Sequence, residues 1–200
     1  MEASKNIGIS VIISWEPYFL NKNLPHEGES IQTHLLKKYG PSAIARYGGE
    51  DNPLTQAGKV CKPPIHFKTD RFIYPTVNCH MVMEHLKGQG KNSEANKVMD
   101  ILFRRYFEEG AAINTKEVLA EVMAEAADVA SSDTIDSIMA NEALQQLVAM
   151  KDHEFKTKLR VSGVPFFIFH RNDGGRAQAF SGAQPVDIIA EQLEEAAEES

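Results

Sequence analysis

The chain has 200 residues, of which 42% are hydrophobic and 24% are charged. This composition excludes wholesale disorder and predicts one globular unit, or one fold with a sizeable inserted subdomain. The formal net charge of −7 argues against nucleic acid or an anionic membrane as a partner, because phosphate affinity needs clustered Lys and Arg. The longest uncharged apolar run, residues 161–169, is too short to span a bilayer.

Cysteine use and the first residues bear on the compartment. Residues 1–6 are polar and do not resemble a secretory signal peptide. The chain has two cysteines, Cys61 and Cys79, which are too few for a disulfide-stapled secreted scaffold. With Met1 taken as the start of the protein, we expect a cytoplasmic, reducing compartment.

The first third of the chain predicts one strand and two short helices. Ile7–Trp15 is an apolar, β-branched run typical of a buried strand, and a loop follows over residues 17–25. Polar caps followed by Gly or Pro stops then predict helices over residues 30–40, capped by Ser30, and from Asn52 to the Pro63–Pro64 break.

The middle of the chain predicts a block of helices. Apolar residues recur there every three or four positions, and Asn or Ser stands near the start of several segments. The helices are expected to begin near Thr76 or Asn78, Asn92, Asn114, Ser132 and Glu142, and the last is expected to end near Arg160. Asn114 with Glu117 forms a variant of the capping box.

The C-terminal part predicts a β-hairpin followed by a helix. Strands over residues 164–169 and 176–180 flank a turn centred on Asp173–Gly174. A last helix begins at Gln184–Pro185, with Val186, Ile189 and Leu193 facing inward. A strand, a helical block and then a hairpin with a helix is typical of an α/β fold with a helical insertion.

Three stretches, in order, resemble the DsbA-like thioredoxin-fold family. They are Trp15–Asn21 with Pro25–Glu29, Arg105–Gly110 with Ile113 and Glu117–Ala120, and Ser162–Phe169 with Ser181–Pro185. The resemblance is to the FrnE-type branch of the 2-hydroxychromene-2-carboxylate isomerase/DsbA superfamily. It implies a thioredoxin-like core formed by residues 1–30 and 161–200, and a helical insertion subdomain over residues 31–160.

The sequence departs from that family at the catalytic motif. The family carries a Cys-x-x-Cys pair at the start of a helix that follows an earlier strand, whereas these 200 residues contain no such pair. We therefore expect the first strand and the catalytic helix to be missing, and no catalytic residue to carry over. A homodimer that completes the sheet is one expected way of pairing the strands left without a neighbour.

The resemblance places a substrate-binding site at Gly163, Val164 and Pro165. It implies that Pro165 is a cis-proline, and that the backbone of Val164 binds an extended peptide or glutathione. The alternative is a simple turn proline at the start of a strand.

Cysteine and histidine side chains offer a second candidate site. Cys61 with His66 and Cys79 with His80 fit no zinc spacing, so we expect no metal. Cys79 is expected on a buried helix face and Cys61 in a loop. We expect Asn78 to cap its helix, with a substrate role for Asn78 and His80 as the alternative.

The function implied is that of a thiol–disulfide oxidoreductase family protein that acts on peptide or protein thiols and disulfides. Without a Cys-x-x-Cys pair, this chain is expected to be inactive in dithiol exchange, which leaves open whether it is an enzyme. One alternative is a non-catalytic protein that binds peptides or clients through the cis-proline groove. Another is a glutathione-dependent isomerase or transferase of the kappa-like branch. No resident cofactor is expected, and glutathione remains open as a ligand.

Overall fold

The computed structural model describes residues 10–127, 132–171, 174 and 177–198, and helices dominate them. Four short strands are present in these ranges: β1 Glu29–Ser30, β2 Phe72–Ile73, β3 Phe166–Phe169 and β4 Gln178–Ser181. The helices are α1 Ile31–Tyr39, α2 Pro41–Tyr47, α3 Pro53–Val60, α4 Val77–Gly88, α5 Asn92–Phe107, α6 Lys116–Ala127, α7 Ser132–Met139, α8 Glu142–Thr157 and α9 Val186–Glu198. None of the described helices is long and apolar enough to cross a membrane.

The chain divides into two compact units. One unit is Ser14–Met150, and the other combines the two ends of the chain, up to Ile13 and from Lys151 onward. The boundaries expected from the sequence, after residues 30 and 160, stay a prediction.

The hydrophobic core of the Ser14–Met150 unit lies among helices α4 to α8. Val82 on α4, Val98 on α5 and Leu119 on α6 have no solvent exposure, and neither have Ile135 on α7 and Val148 on α8. The inward residues of α5 follow the spacing expected of an amphipathic helix. Helix α4 packs against both α5 and α7, and α6 packs against its neighbours α5 and α7.

The caps of two early helices are as predicted. The Ser30 hydroxyl accepts a hydrogen bond from the Thr33 amide at 3.1 Å, and the Asn52 side chain accepts one from the Thr55 amide at 3.0 Å. Both bonds satisfy an amide in the first turn of a helix. Helix α2 and the two-residue antiparallel pairing of β1 with β2 were not predicted.

The predicted first strand is wrong for its described part. Residues 10–15 form no strand, and Ile12 is 68% exposed. Residues 7–9 of the prediction lie outside the described residues. Side chains hold Trp15 in place of a strand ladder, since its indole N–H donates to Asn96 Oδ1 at 2.8 Å and its carbonyl accepts from Lys87 Nζ at 2.7 Å.

The capping predictions for Asn78 and Asn114 are also wrong. Asn78 lies inside α4, and its side-chain nitrogen donates to the carbonyl of Asn114 at 2.9 Å. The side chain of Asn114 donates to the carbonyl of His26 at 2.8 Å, and the Thr115 hydroxyl accepts from the Val118 amide in the first turn of α6. Both asparagines thus join distant segments.

The other unit contains the hairpin of β3 and β4, with α9 packed against β3. Its register pairs Phe166 with Ser181 and Phe169 with Gln178. The predicted turn lies partly outside the described residues, although Gly174 has the positive φ of 82° that such a turn requires. The inward placement of Val186 is wrong, because this first residue of α9 is 76% exposed.

Candidate functional site: the edge that precedes strand β3

The segment Gly163–Val164–Pro165 connects α8 to β3. Upstream of it, Val161 is buried and its amide donates to the carbonyl of Phe155 at 3.0 Å. The Val164–Pro165 peptide bond is cis. Both Val164 and Pro165 are exposed, whereas Gly163 is half-buried.

Hydrogen bonding differs between Val164 and Pro165. The carbonyl of Pro165 accepts from the Gly182 amide at 2.8 Å, which extends the hairpin ladder by one bond beyond the Phe166–Ser181 pair. Among the described residues, the backbone N–H and carbonyl of Val164 have no hydrogen-bond partner. Val164 as a whole is 45% exposed. The ladder thus ends at a residue with a free donor and a free acceptor, which is what an added strand needs.

Aromatic side chains pack between β3 and β4. The ring of Phe180 on β4 lies 4.9 Å from the ring of Phe167 and 5.5 Å from that of Phe169, measured between centroids. These separations are in the range that favours aromatic pairs. The pairing ties the two strands together beside the free backbone groups of Val164.

The two cysteines have opposite environments, and neither is in a disulfide. Cys61 is exposed directly after α3, and its thiol donates to the carbonyl of Ala57 at 3.4 Å. Cys79 is 5% exposed on α4, and its thiol donates to the carbonyl of Ile113 at 3.2 Å. Burial raises the pKa of the Cys79 thiol to about 12. Cys79 therefore stays protonated near neutral pH, whereas a redox cysteine needs a thiolate.

The histidines nearest to these cysteines in the sequence are His66 and His80. Within the described residues no three His, Cys, Asp or Glu side chains gather as metal ligands would. The His80 ring packs edge-on against Phe19 with centroids 5.5 Å apart.

A buried polar network close to α4 was not predicted from the sequence. The ammonium of Lys87, whose side chain is 11% exposed, lies 2.5 Å from the carboxylate of Glu84 and 2.9 Å from that of Glu16. It also donates to the carbonyl of Trp15. Glu84 and Lys87 are three residues apart on one helix face, and this spacing is the one sequence signal for the pair. The network positions the segment around Trp15.

Comparison with known proteins identifies the family of the chain. The family model described as the DSBA-like thioredoxin domain matches residues 4–194. The chain therefore belongs to the family of DSBA-like thioredoxin domains, which is of the thiol–disulfide oxidoreductase type. No curated protein matches the chain.

Proposed function

We propose that this chain binds an extended peptide or protein substrate along the edge formed by Gly163, Val164 and Pro165. We also propose that its own cysteines perform no dithiol exchange, and that it is of the FrnE type within its family. The observation that carries the proposal is the unpaired backbone of Val164, an exposed residue at the end of the β3–β4 ladder.

The binding mode follows from the chemistry of a strand edge. One backbone N–H and one carbonyl on the same residue form an antiparallel pair with one residue of an extended peptide. Because the Pro165 carbonyl is already bonded to Gly182, the partner chain pairs with Val164. Backbone pairing is indifferent to sequence, so a range of unfolded clients suits this edge.

The environments of Cys61 and Cys79 support the proposal that these cysteines perform no dithiol exchange. Exchange needs an accessible thiolate and a second thiol close enough to resolve the mixed disulfide. Cys61 is exposed, but Cys79 is buried and its thiol is bonded to the carbonyl of Ile113.

A peptide titration tests the binding mode through the Val164 amide. Val164→Pro removes the backbone N–H, whereas Val164→Ala removes most of the side chain and keeps the N–H. We expect the fluorescence anisotropy of a labelled, extended, cysteine-free peptide to show binding that Val164→Pro weakens by about tenfold, the equivalent of one lost hydrogen bond. Val164→Ala, compared at equal circular dichroism, should change it much less. Equal affinities for the two variants would refute backbone pairing at Val164.

A turnover assay with a model disulfide substrate, such as insulin, tests whether the chain's own cysteines perform dithiol exchange. We expect no reduction above the buffer rate, and no change in Cys61→Ser or Cys79→Ser. Robust turnover that either substitution abolishes would show that these thiols are catalytic.

A further inference from the structure

A depression of about 390 Å³ lies between the loop over residues 21–25 and helix α1. The loop contributes Asn21, Asn23, Leu24 and Pro25, α1 contributes His34, Lys37 and Lys38, and β1 contributes Glu29. The volume is in the lower part of the range of small-ligand sites, roughly 300–1,000 Å³. All of these residues belong to the Ser14–Met150 unit, whereas Val164 belongs to the other unit.

A carboxylate at the wall of this depression holds two of the basic side chains. Glu29, whose side chain is 14% exposed, forms an ion pair with Lys37 and lies 3.3 Å from Nδ1 of His34. These contacts lower the pKa of Glu29, with the Lys37 hydrogen bond as the main cause. Glu29 is therefore ionised at neutral pH, and its charge is matched by that of Lys37.

Lys38, the other lysine of the depression, has no carboxylate partner among the described residues. The ammonium of Lys38 lies 5.1 Å from the ring centroid of Tyr39, and no carboxylate pairs with it in the part of the chain that the structure describes. With Glu29 offset by Lys37, the depression retains the single positive charge of Lys38. This local sign is opposite to the net charge of −7 on the whole chain.

The loop adds polar and apolar surface. Oδ1 of Asn21 accepts the amide N–H of Asn23 at 2.9 Å, which leaves the side-chain NH₂ of Asn21 as a donor. Leu24 and Pro25 supply the apolar wall. A cation, an amide donor and an apolar wall together match a ligand that has one anionic group on an apolar body.

From this arrangement we propose that the depression binds a small organic acid, with its carboxylate at Lys38 and Asn21 and its apolar body on Leu24 and Pro25. One net positive charge suits a monoanion. A phosphate dianion would place surplus negative charge beside the carboxylate of Glu29.

An NMR titration of the full chain with benzoate tests this site. The matched variants are Lys38→Met and Lys59→Met, since both lysines lie in the last turn of a short exposed helix and only Lys38 lines the depression. We expect saturable amide shifts over residues 21–38, with a Kd about fivefold weaker in Lys38→Met, the size of one exposed ion pair. Lys59→Met should bind like the unsubstituted chain, and inorganic phosphate at equal ionic strength should give no saturable shift.

Three results would overturn the proposal. The first is an absence of saturable shifts with benzoate. The second is the same Kd in Lys38→Met and Lys59→Met, which would show that Lys38 does not contact the acid. The third is equal or tighter binding of phosphate, which would exclude the carboxylate as the recognised group.

Discussion

At the scale of single residues, burial sets the chemistry of Cys79. Its thiol is enclosed by the core of the Ser14–Met150 unit and bonded to the carbonyl of Ile113. Burial disfavours the charged form of any acid, so the thiol keeps its proton well above neutral pH. Cys61, directly after α3, is exposed.

Alkylation distinguishes the two thiols. At pH 8, iodoacetamide should modify Cys61 and leave Cys79 unmodified, because a pKa of about 12 leaves almost no thiolate at that pH. Mass spectrometry of the native chain should show one adduct, and the chain unfolded in guanidinium should show two. Rapid formation of two adducts in the native chain would contradict the burial of Cys79.

The same burial predicts how stability depends on pH. The fold raises the pKa of Cys79 from 9.0 to about 12, so the unfolded chain loses this proton first as pH rises. The stabilisation by the protonated thiol is complete below pH 9 and is lost between pH 9 and pH 12. Chemical denaturation across this range should therefore show a steeper decline for the unsubstituted chain than for Cys79→Ala. Identical slopes would contradict the raised pKa.

At the scale of elements, glycines show where backbone segments approach closely. A Cβ added to Gly58 on α3 would lie 2.4 Å from the carbonyl oxygen of Ile65 and 2.8 Å from the ring of Phe67. A Cβ added to Gly88, at the end of α4, would meet nothing within 4 Å. Gly58 thus allows the segment after Cys61 to pack on α3.

These two glycines give a matched stability test. Gly58→Ala should lower the free energy of unfolding by about 1–3 kcal/mol, because the backbone must move to admit the methyl group. Gly88→Ala should leave it unchanged or raise it by up to about 1 kcal/mol, the helix-propensity difference. Urea denaturation measures both, and a stabilising Gly58→Ala would show that α3 and the following segment are not in contact.

Local signals made the helices predictable. The caps at Ser30 and Asn52 depend on residues three positions apart, and the repeating apolar spacing of α5 lies within one helix. Helix α2 was missed because its N-cap is Gly40, which has no side chain to cap with. The β1–β2 ladder is only two residues long and joins segments more than forty positions apart, so no periodic pattern marks it.

The strand that follows the candidate site was predictable, but the hydrogen bonding at its start was not. The apolar stretch around Pro165 marks a strand start, whereas the free backbone of Val164 depends on which residue Gly182 binds. Asn114 illustrates the same limit, since its side chain contacts a carbonyl 88 positions away. The spacing of Asn114 and Glu117 predicts a helix cap, whereas a long-range hydrogen bond leaves no spacing signal in the sequence.

At the scale of the whole molecule, the buried hydrophobic cluster extends from Phe19 to Val148. It therefore lies entirely within the Ser14–Met150 unit. A unit that contains its own core is expected to fold without the rest of the chain.

A fragment of residues 14–150 tests this independence. We expect helical circular dichroism and a cooperative thermal transition. Leu119→Ala, at a side chain with no solvent exposure, should destabilise the fragment by about 2–5 kcal/mol. Leu54→Ala, at a side chain that is 42% exposed, should change its stability by less than about 0.5 kcal/mol. A fragment that melts without cooperativity would mean that the core needs the other unit.

Hydrogen exchange at single amides shows whether a peptide pairs with the backbone of Val164. The amide of Val164 has no partner among the described residues, whereas that of Gly182 is bonded to Pro165. A saturating extended peptide should slow exchange at Val164 by at least about tenfold and leave Gly182 little changed. Unaltered exchange at Val164, with the peptide demonstrably bound, would place the binding site elsewhere on the molecule.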